Sequence, residues 1–119
     1  MSLIWVMIGG GFGAGLRYAL SIGIQTSTET AFPFATLTAN LLGCLAIGLL
    51  SAFFAETSSE TLRLALIVGL LGGFTTFSSF GLETLSLLQE GQVGAAALYV
   101  LLSNLGGLLG VALGLKLAG

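Results

Sequence analysis

Long apolar runs separated by short polar segments are the main pattern along this chain. Charge-free runs cover residues 30–55, 64–82 and 91–115, which are 26, 19 and 25 residues long. Each can cross a hydrocarbon core, which takes about 20 helical residues. A first run also qualifies if Arg17 reaches the membrane interface or faces protein. The pattern predicts one transmembrane domain over residues 1–119, with four helical spans at approximately 3–24, 33–55, 62–88 and 94–116.

The composition makes the bilayer the natural solvent of this chain. Hydrophobic residues make up 55% of the sequence and charged residues 7%, with a mean hydropathy of +1.08, whereas soluble domains carry about a quarter charged residues. The sequence has no His and no Asp, which excludes Ser-His-Asp triads and His-ligated zinc. A net charge of −2 without a basic cluster excludes nucleic-acid binding. We therefore expect a multi-pass membrane protein that is not an enzyme.

The few basic residues leave the orientation in the membrane open. Arg63 and Lys116 fall on the side of the termini, and Arg17 lies nearer the other side. Basic residues mark cytoplasmic ends, so a count of two against one gives almost no bias. A single orientation and a dual topology with antiparallel pairing both fit this count.

Glycines spaced by four residues recur in the first and fourth spans. This spacing aligns them on common helix faces, where backbones can approach closely. We expect these faces to pack within the bundle, with some of them meeting another subunit. The glycines concerned are Gly9 with Gly13, Gly11 with Gly15, and Gly106 with Gly110 and Gly114.

The third span contains the most informative segment, residues 69–80. Gly72 and Gly73 precede two β-branched threonines, and both features weaken a helix. We expect a break near Gly72–Thr76, since broken transmembrane helices often present carbonyls to cations and amides to anions. The alternative is a continuous helix whose glycines permit close packing. Phenylalanines recur every three residues at positions 74, 77 and 80, which predicts one shared helix face.

Polar side chains also lie inside the other spans, where lipid penalises them. Thr36 and Asn40 are four residues apart, as are Tyr99 and Ser103. They fit either an interhelical clasp or a pore lined by neutral donors. For Arg17 the alternatives are snorkelling and a positive vestibule that concentrates anions. Glu83 fits a cap or salt bridge at the end of the third span, or a transport carboxylate.

Three segments together resemble the CrcB/Fluc family of fluoride channels, in order and over essentially the whole chain. They read GGGFGAGLRY at 9–18, TLTANLLG at 36–43 and GGFTTFSSF at 72–80, the last followed by Glu83. The resemblance implies a channel that passively exports cytoplasmic fluoride and so reduces its toxicity. It also implies an antiparallel dual-topology homodimer in the inner (cytoplasmic) membrane, with two pores and a structural sodium ion (Na+) at its centre.

The resemblance further implies roles for individual residues. Backbone carbonyls of Gly72 and Thr75 would bind the sodium ion, two from each subunit. The arginine at position 17 would belong to the vestibule. The fluoride pore would comprise Phe77, Phe80, Asn40, Thr36, Ser78, Ser103 and Tyr99. Gly81 and Gly107 depart from the family, in which hydroxyl residues are frequent at these positions.

Two other functions compete with the channel. A small proton-coupled multidrug exporter needs an embedded carboxylate, normally in the first helix, and here only Glu83 near the end of the third span is available. A structural membrane subunit would need neither Asn40 nor the predicted break. The sequence favours the channel over both.

Overall fold

The described chain consists of helices joined by short links. A computed structural model describes residues 2–27, 32–55 and 59–119. Helix α1 is Ser2–Ser27, α2 is Phe34–Phe54, and the last helix, α5, is Val93–Ala118. The third span is divided into α3 (60–74) and α4 (Ser78–Gln89). Four helical spans are thus long and apolar enough to cross a membrane, and the described ranges contain no strand.

The third span is broken, as predicted, but the break begins after the glycine pair. Helix α3 starts with Glu60–Arg63, continues as the π-helical stretch Leu64–Leu71 and ends with Gly72–Phe74. Thr75 then has an extended backbone (φ −88°, ψ 157°), and α4 begins at Ser78. The interruption therefore covers residues 75–77, and the alternative of a continuous helix is wrong.

Glycines let α1 and α3 approach each other closely. A Cβ atom on Gly9 would lie within 3 Å of the Ala65 and Leu70 backbones, and one on Gly13 would meet Leu70 and Phe74 in the same way. Such contact between backbones is what small residues permit in membrane helices. The prediction of packing within the bundle is confirmed for Gly9 and Gly13.

The second pair of α1 glycines lies on a different surface. Cβ atoms on Gly11 and Gly15 would meet nothing within 4 Å. Both glycines line an apolar groove on α1, together with Met7, Ile8, Phe12 and Leu16. Packing within the described chain therefore does not account for this pair.

Helices α2 and α5 form the second close pair. Gly48 on α2 faces Gly114 on α5, where an added Cβ would lie within 3 Å of backbone atoms. Gly106 and Gly110 face Leu41 and its neighbours on α2. All three glycines of the α5 stripe thus pack against α2, as expected for a bundle interface.

A small buried core joins α2, α4 and α5. It comprises Leu37, Leu87, Ala96 and Tyr99, and Phe80 packs against it from α4. The link from α4 to α5 is short because Gly91 adopts a positive φ of 79°, a conformation that glycine permits after a helix end. This core holds α4 beside the two helices that carry the predicted polar residues.

Candidate functional site

A cavity of about 360 Å³ lies beside the break in the third span. Its lining is polar near the break and apolar elsewhere, and it contains no charged side chain among the described residues. The lining residues are Asn40, Gly43, Cys44, Ile47, Ile67, Leu71, Gly72, Thr75, Thr76, Phe77, Phe80, Ser103 and Asn104. An ion in this cavity would meet only neutral groups.

Asn40 holds the broken backbone with both ends of its amide group. Its Nδ2 donates to the carbonyl oxygen of Thr76 at 3.0 Å, and its Oδ1 accepts from the Thr76 amide at 2.9 Å. Each interaction satisfies a peptide group that the break removes from the helix, which lipid could not do. Asn40 therefore forms the interhelical clasp that was one of its two alternatives. Because Nδ2 carries two hydrogens, one hydrogen is left after the bond to the Thr76 carbonyl.

Hydroxyl groups stabilise the remainder of the break. Thr76 Oγ1 accepts from the Ser79 amide at 3.3 Å and lies 3.4 Å from Ser78 Oγ. Thr75 Oγ1 donates back to the Leu71 carbonyl at 3.0 Å. Ser78 itself is exposed at the start of α4. The two threonines that weaken the helix in sequence thus supply local hydrogen bonds where it ends.

Arg17 contacts the end of α3. Its Nε donates to the carbonyl oxygen of Gly73 at 3.3 Å, and its side chain is partly buried. A cation is favourable at a helix C-terminus, where carbonyls lack intrahelical partners. Arg17 therefore caps the first half of the third span, and both snorkelling and a positive vestibule stay predictions for it.

Aromatic rings connect the cavity to the buried core. The ring centroids of Phe77 and Phe80 are 5.8 Å apart, and those of Phe80 and Tyr99 are 5.1 Å apart. Phe77 is 82% exposed, so most of its ring extends beyond the described bundle. The prediction that Phe74 shares a helix face with the other two is wrong, because the chain leaves the helix between Phe74 and Phe77.

Thr36 and Tyr99 meet at Glu83, away from the cavity lining. Thr36 Oγ1 donates to Oε2 of Glu83 at 3.1 Å, and the Tyr99 hydroxyl donates to Oε1 at 3.0 Å. Thr36 and Tyr99 are buried. The partners of Glu83 are thus hydroxyl groups on two other helices. This cluster is not predictable from the sequence, because spacing along the chain does not show which helices are neighbours.

Ser103 has a buried hydroxyl oxygen without a hydrogen-bond partner in the described part of the chain. It lines the cavity with Asn40 and Phe80.

The two positions that depart from the family, Gly107 and Gly81, have different surroundings. Gly107 faces Cys44, whose sulfur would lie 3.2 Å from a Cβ added at Gly107, whereas a Cβ added at Gly81 would meet nothing within 4 Å. Cys44 therefore fills the space that a larger residue at position 107 would take.

The predicted site residues form two neighbouring groups. Asn40, Phe77, Phe80 and Ser103 line the cavity together with Gly72 and Thr75. Thr36 and Tyr99 form the second group, and Phe80 contacts it through the Tyr99 ring. Ser78 lies at the break and Arg17 at the end of α3. Thr76, which no prediction singled out for a role of its own, is the partner of Asn40.

Residues 4–115 match the family described as CrcB-like protein, Camphor Resistance (CrcB). The chain belongs to the CrcB family. The match covers all four helical spans, so the resemblance predicted from three segments is confirmed over nearly the whole length.

Curated relatives from this family carry a functional name. Proteins named Fluoride-specific ion channel FluC are 44% identical in Chloroflexus aurantiacus (98% of this chain, 94% of the relative), 45% in Methylobacillus flagellatus (94% and 90%) and 44% in Salinibacter ruber (96% and 86%). Because CrcB relatives are named as ion channels, the expectation of a transport protein and not an enzyme is confirmed.

Proposed function

We propose that this protein is a fluoride-selective channel that passively exports fluoride across the inner (cytoplasmic) membrane. The observation that supports this most is the buried Ser103 hydroxyl, which has no hydrogen-bond partner among the described residues and belongs to the cavity that Asn40 and Phe80 also line. A free donor of this kind is costly in a bilayer unless something binds it. The curated relatives are named fluoride-specific ion channels, which supports fluoride as the conducted ion.

Neutral groups suit the passage of a small, strongly hydrated anion. A conducting site must replace hydration without holding the ion too tightly. The second Nδ2 hydrogen of Asn40 and the Ser103 hydroxyl are suitable donors, and ring edges of Phe77 and Phe80 carry partial positive charge. Among the described residues, the lining has no basic side chain that would trap the anion. The path then continues past Phe80 toward the hydroxyl groups of Thr36 and Tyr99.

Positive charge also lies beside the break. Arg17, whose Nε contacts the Gly73 carbonyl, supplies positive potential there, and the N-terminus of α4 at Ser78 adds a partial positive charge. In the Thr36 and Tyr99 group, both hydroxyl protons are donated to Glu83. Each hydroxyl has one proton, so fluoride gains these donors only when Glu83 releases them.

We propose that a sodium ion binds the backbone at the break. The part of the chain that the structure describes has no cluster of three His, Cys, Asp or Glu side chains that could hold a metal, and unwound carbonyls serve as sodium ligands in other transport proteins. Gly72 and Thr75, which border the cavity, would hold it through their carbonyls. When bound, sodium adds positive potential beside the anion path.

We further propose an antiparallel dual-topology homodimer with two pores and the sodium ion between its subunits. Two features support a second subunit: the 82% exposure of Phe77 at the break and the exposed Asn104 amide at mid-span. Polar groups at membrane depth face protein or water and not lipid. A second copy would cover them.

Fluoride efflux from liposomes tests the channel. Purified protein is reconstituted with potassium fluoride inside, and efflux is followed with a fluoride electrode after adding a potassium ionophore. A passive channel releases fluoride only when the ionophore carries the compensating charge, and a parallel chloride experiment shows no release. Folded protein that releases no fluoride would overturn the proposal. Exchange of protons for cationic drugs would then identify the exporter alternative.

Labelling of single cysteines tests the topology. In a Cys44→Ser background, Thr61→Cys and Gln92→Cys probe links on opposite sides of the membrane. A membrane-impermeant maleimide applied to intact cells should label about half of each variant in dual topology. Complete labelling of one variant and none of the other would establish a single orientation and exclude antiparallel pairing.

A further inference from the structure

The hydrogen bonds at the break follow a specific pattern relative to an ordinary helix. In an α-helix each carbonyl accepts from the amide four residues later. The carbonyl of Gly72 would accept from Thr76, and that of Thr75 from Ser79. These two carbonyls are the proposed sodium ligands, so the fate of the two amide hydrogens matters.

Side chains take both of these amide hydrogens. The Thr76 amide donates to Asn40 Oδ1 at 2.9 Å. The Ser79 amide donates to Thr76 Oγ1 at 3.3 Å. One acceptor comes from α2 and the other from the break itself. The carbonyls of Gly72 and Thr75 have thus lost their helical donors to Asn40 and Thr76.

Two nearby carbonyls, those of Leu71 and Gly73, accept hydrogen bonds. The Leu71 oxygen accepts from both the amide and the hydroxyl of Thr75, each at 3.0 Å. The Gly73 oxygen accepts from Arg17 Nε at 3.3 Å. At the break, the carbonyl oxygens of Gly72 and Thr75 are therefore without their helical donors, whereas those of Leu71 and Gly73 accept hydrogen bonds.

We propose that Asn40 and Thr76 are positioning residues for the cation site: by accepting these two amide hydrogens, they free the carbonyl oxygens of Gly72 and Thr75 for sodium. This inference rests on the proposed function, and it gives Asn40 a second task beside its donor role in the cavity. Thr76 acts on the cation through the backbone and not as a fluoride ligand.

Thr76→Val is the sharpest variant, since valine keeps the shape and removes the Oγ1 acceptor. The Ser79 amide then loses its acceptor at the break, and the Thr75 carbonyl is the oxygen that would accept it in a continuous helix. Thr76→Ser retains an acceptor and should restore cation binding. Thr84→Val is a matched control in the same span, because Thr84 Oγ1 donates to the Phe80 carbonyl and accepts no amide at the break.

The readout is thermal stability in detergent, titrated with sodium chloride against N-methylglucamine chloride at constant ionic strength. A cation that binds only the folded protein raises the melting temperature with its concentration. For Thr76→Val we expect the half-effective sodium concentration to rise roughly tenfold, which corresponds to about 1.4 kcal/mol. Thr76→Ser and Thr84→Val should stay within roughly twofold of the unmodified protein on the same scale.

The outcomes separate the inference from the proposed function. An unchanged sodium midpoint in Thr76→Val would overturn the positioning role. If the unmodified protein conducts fluoride but sodium and N-methylglucamine stabilise it equally, the cation site is wrong and the channel remains. Absence of fluoride flux from folded protein would overturn the channel itself. Should Thr76→Val fail to fold, Asn40→Ala removes the other acceptor, and its sodium titration decides by the same criterion.

Discussion

The hydroxyl of Tyr99 on α5 donates a 3.0 Å hydrogen bond to Oε1 of Glu83 on α4, and the Tyr99 side chain is completely buried. The second carboxylate oxygen accepts from Thr36 on α2. This carboxylate therefore joins three helices within the small core. The Tyr99 ring in turn lies 5.1 Å from the Phe80 ring, which connects the stability of the bundle with the proposed ion path.

Tyr99→Phe should lower both stability and fluoride flux. The variant keeps the ring but leaves Oε1 of Glu83 without a donor, and an unsatisfied buried acceptor costs about 1–3 kcal/mol. Thermal unfolding in detergent and fluoride efflux measure the two effects. Tyr18→Phe is the matched control, because Tyr18 is 67% exposed. Equal melting temperatures for the two variants would contradict the role assigned to the Tyr99 hydroxyl.

Two glycines of α1 should respond very differently to the same substitution. Gly13→Ala places a Cβ against the Leu70 and Phe74 backbones, so α1 must shift from α3, at a cost of roughly 1–3 kcal/mol. Gly11→Ala meets nothing within 4 Å and gains up to about 1 kcal/mol of helix propensity. Melting temperatures in detergent compare them. A larger loss for Gly11→Ala would mean that another subunit covers its groove tightly.

Phe77→Ile should reduce fluoride flux while the protein remains folded. The ring is 82% exposed, so its removal costs little packing within the chain. Loss of a ring-edge contact of about 1 kcal/mol corresponds to roughly a fivefold slower flux. Phe12→Ile, which changes a 69% exposed ring on α1, is the control. Unchanged efflux with Phe77→Ile would remove this ring from the ion path.

Ser103→Ala should separate function from stability. Its hydroxyl oxygen is buried without a partner, so its removal should leave the melting temperature unchanged or raise it. Efflux should fall, since the cavity loses a donor. Ser51→Ala, at an exposed position on α2, should alter neither quantity. A destabilised Ser103→Ala protein would indicate that the hydroxyl has a structural partner.

Residue types and spacing were sufficient to predict the helices and the existence of the break. Four long apolar runs specify four spans, and adjacent glycines and threonines weaken the third. The exact residues of the break were harder to predict from the sequence. Gly73 stays helical because it packs against Gly10 of α1, and the chain opens only where Asn40 takes the Thr76 amide. Both causes are contacts between distant segments.

The residues of the site were easier to predict from the sequence than the contacts between them. Asn40 and Ser103 were selected as polar residues inside apolar spans, and both line the cavity. The partners of Glu83 were not predicted, because nothing in the chain indicates that Thr36 and Tyr99 reach the same carboxylate. The helical period placed Phe74 beside Phe77, but a period loses its phase wherever the helix stops.

The side chain of Asn40 offers the break one donor and one acceptor, which is what a single peptide group offers. Through Asn40, helix α2 thus gives Thr76 the two hydrogen bonds that a peptide group would give, while α2 itself stays helical. The interruption consequently needs no water to satisfy Thr76. Because both hydrogen bonds end at one residue, displacing Thr76 from α2 would break them together. The interruption in the third span is thereby held against α2 at a single point.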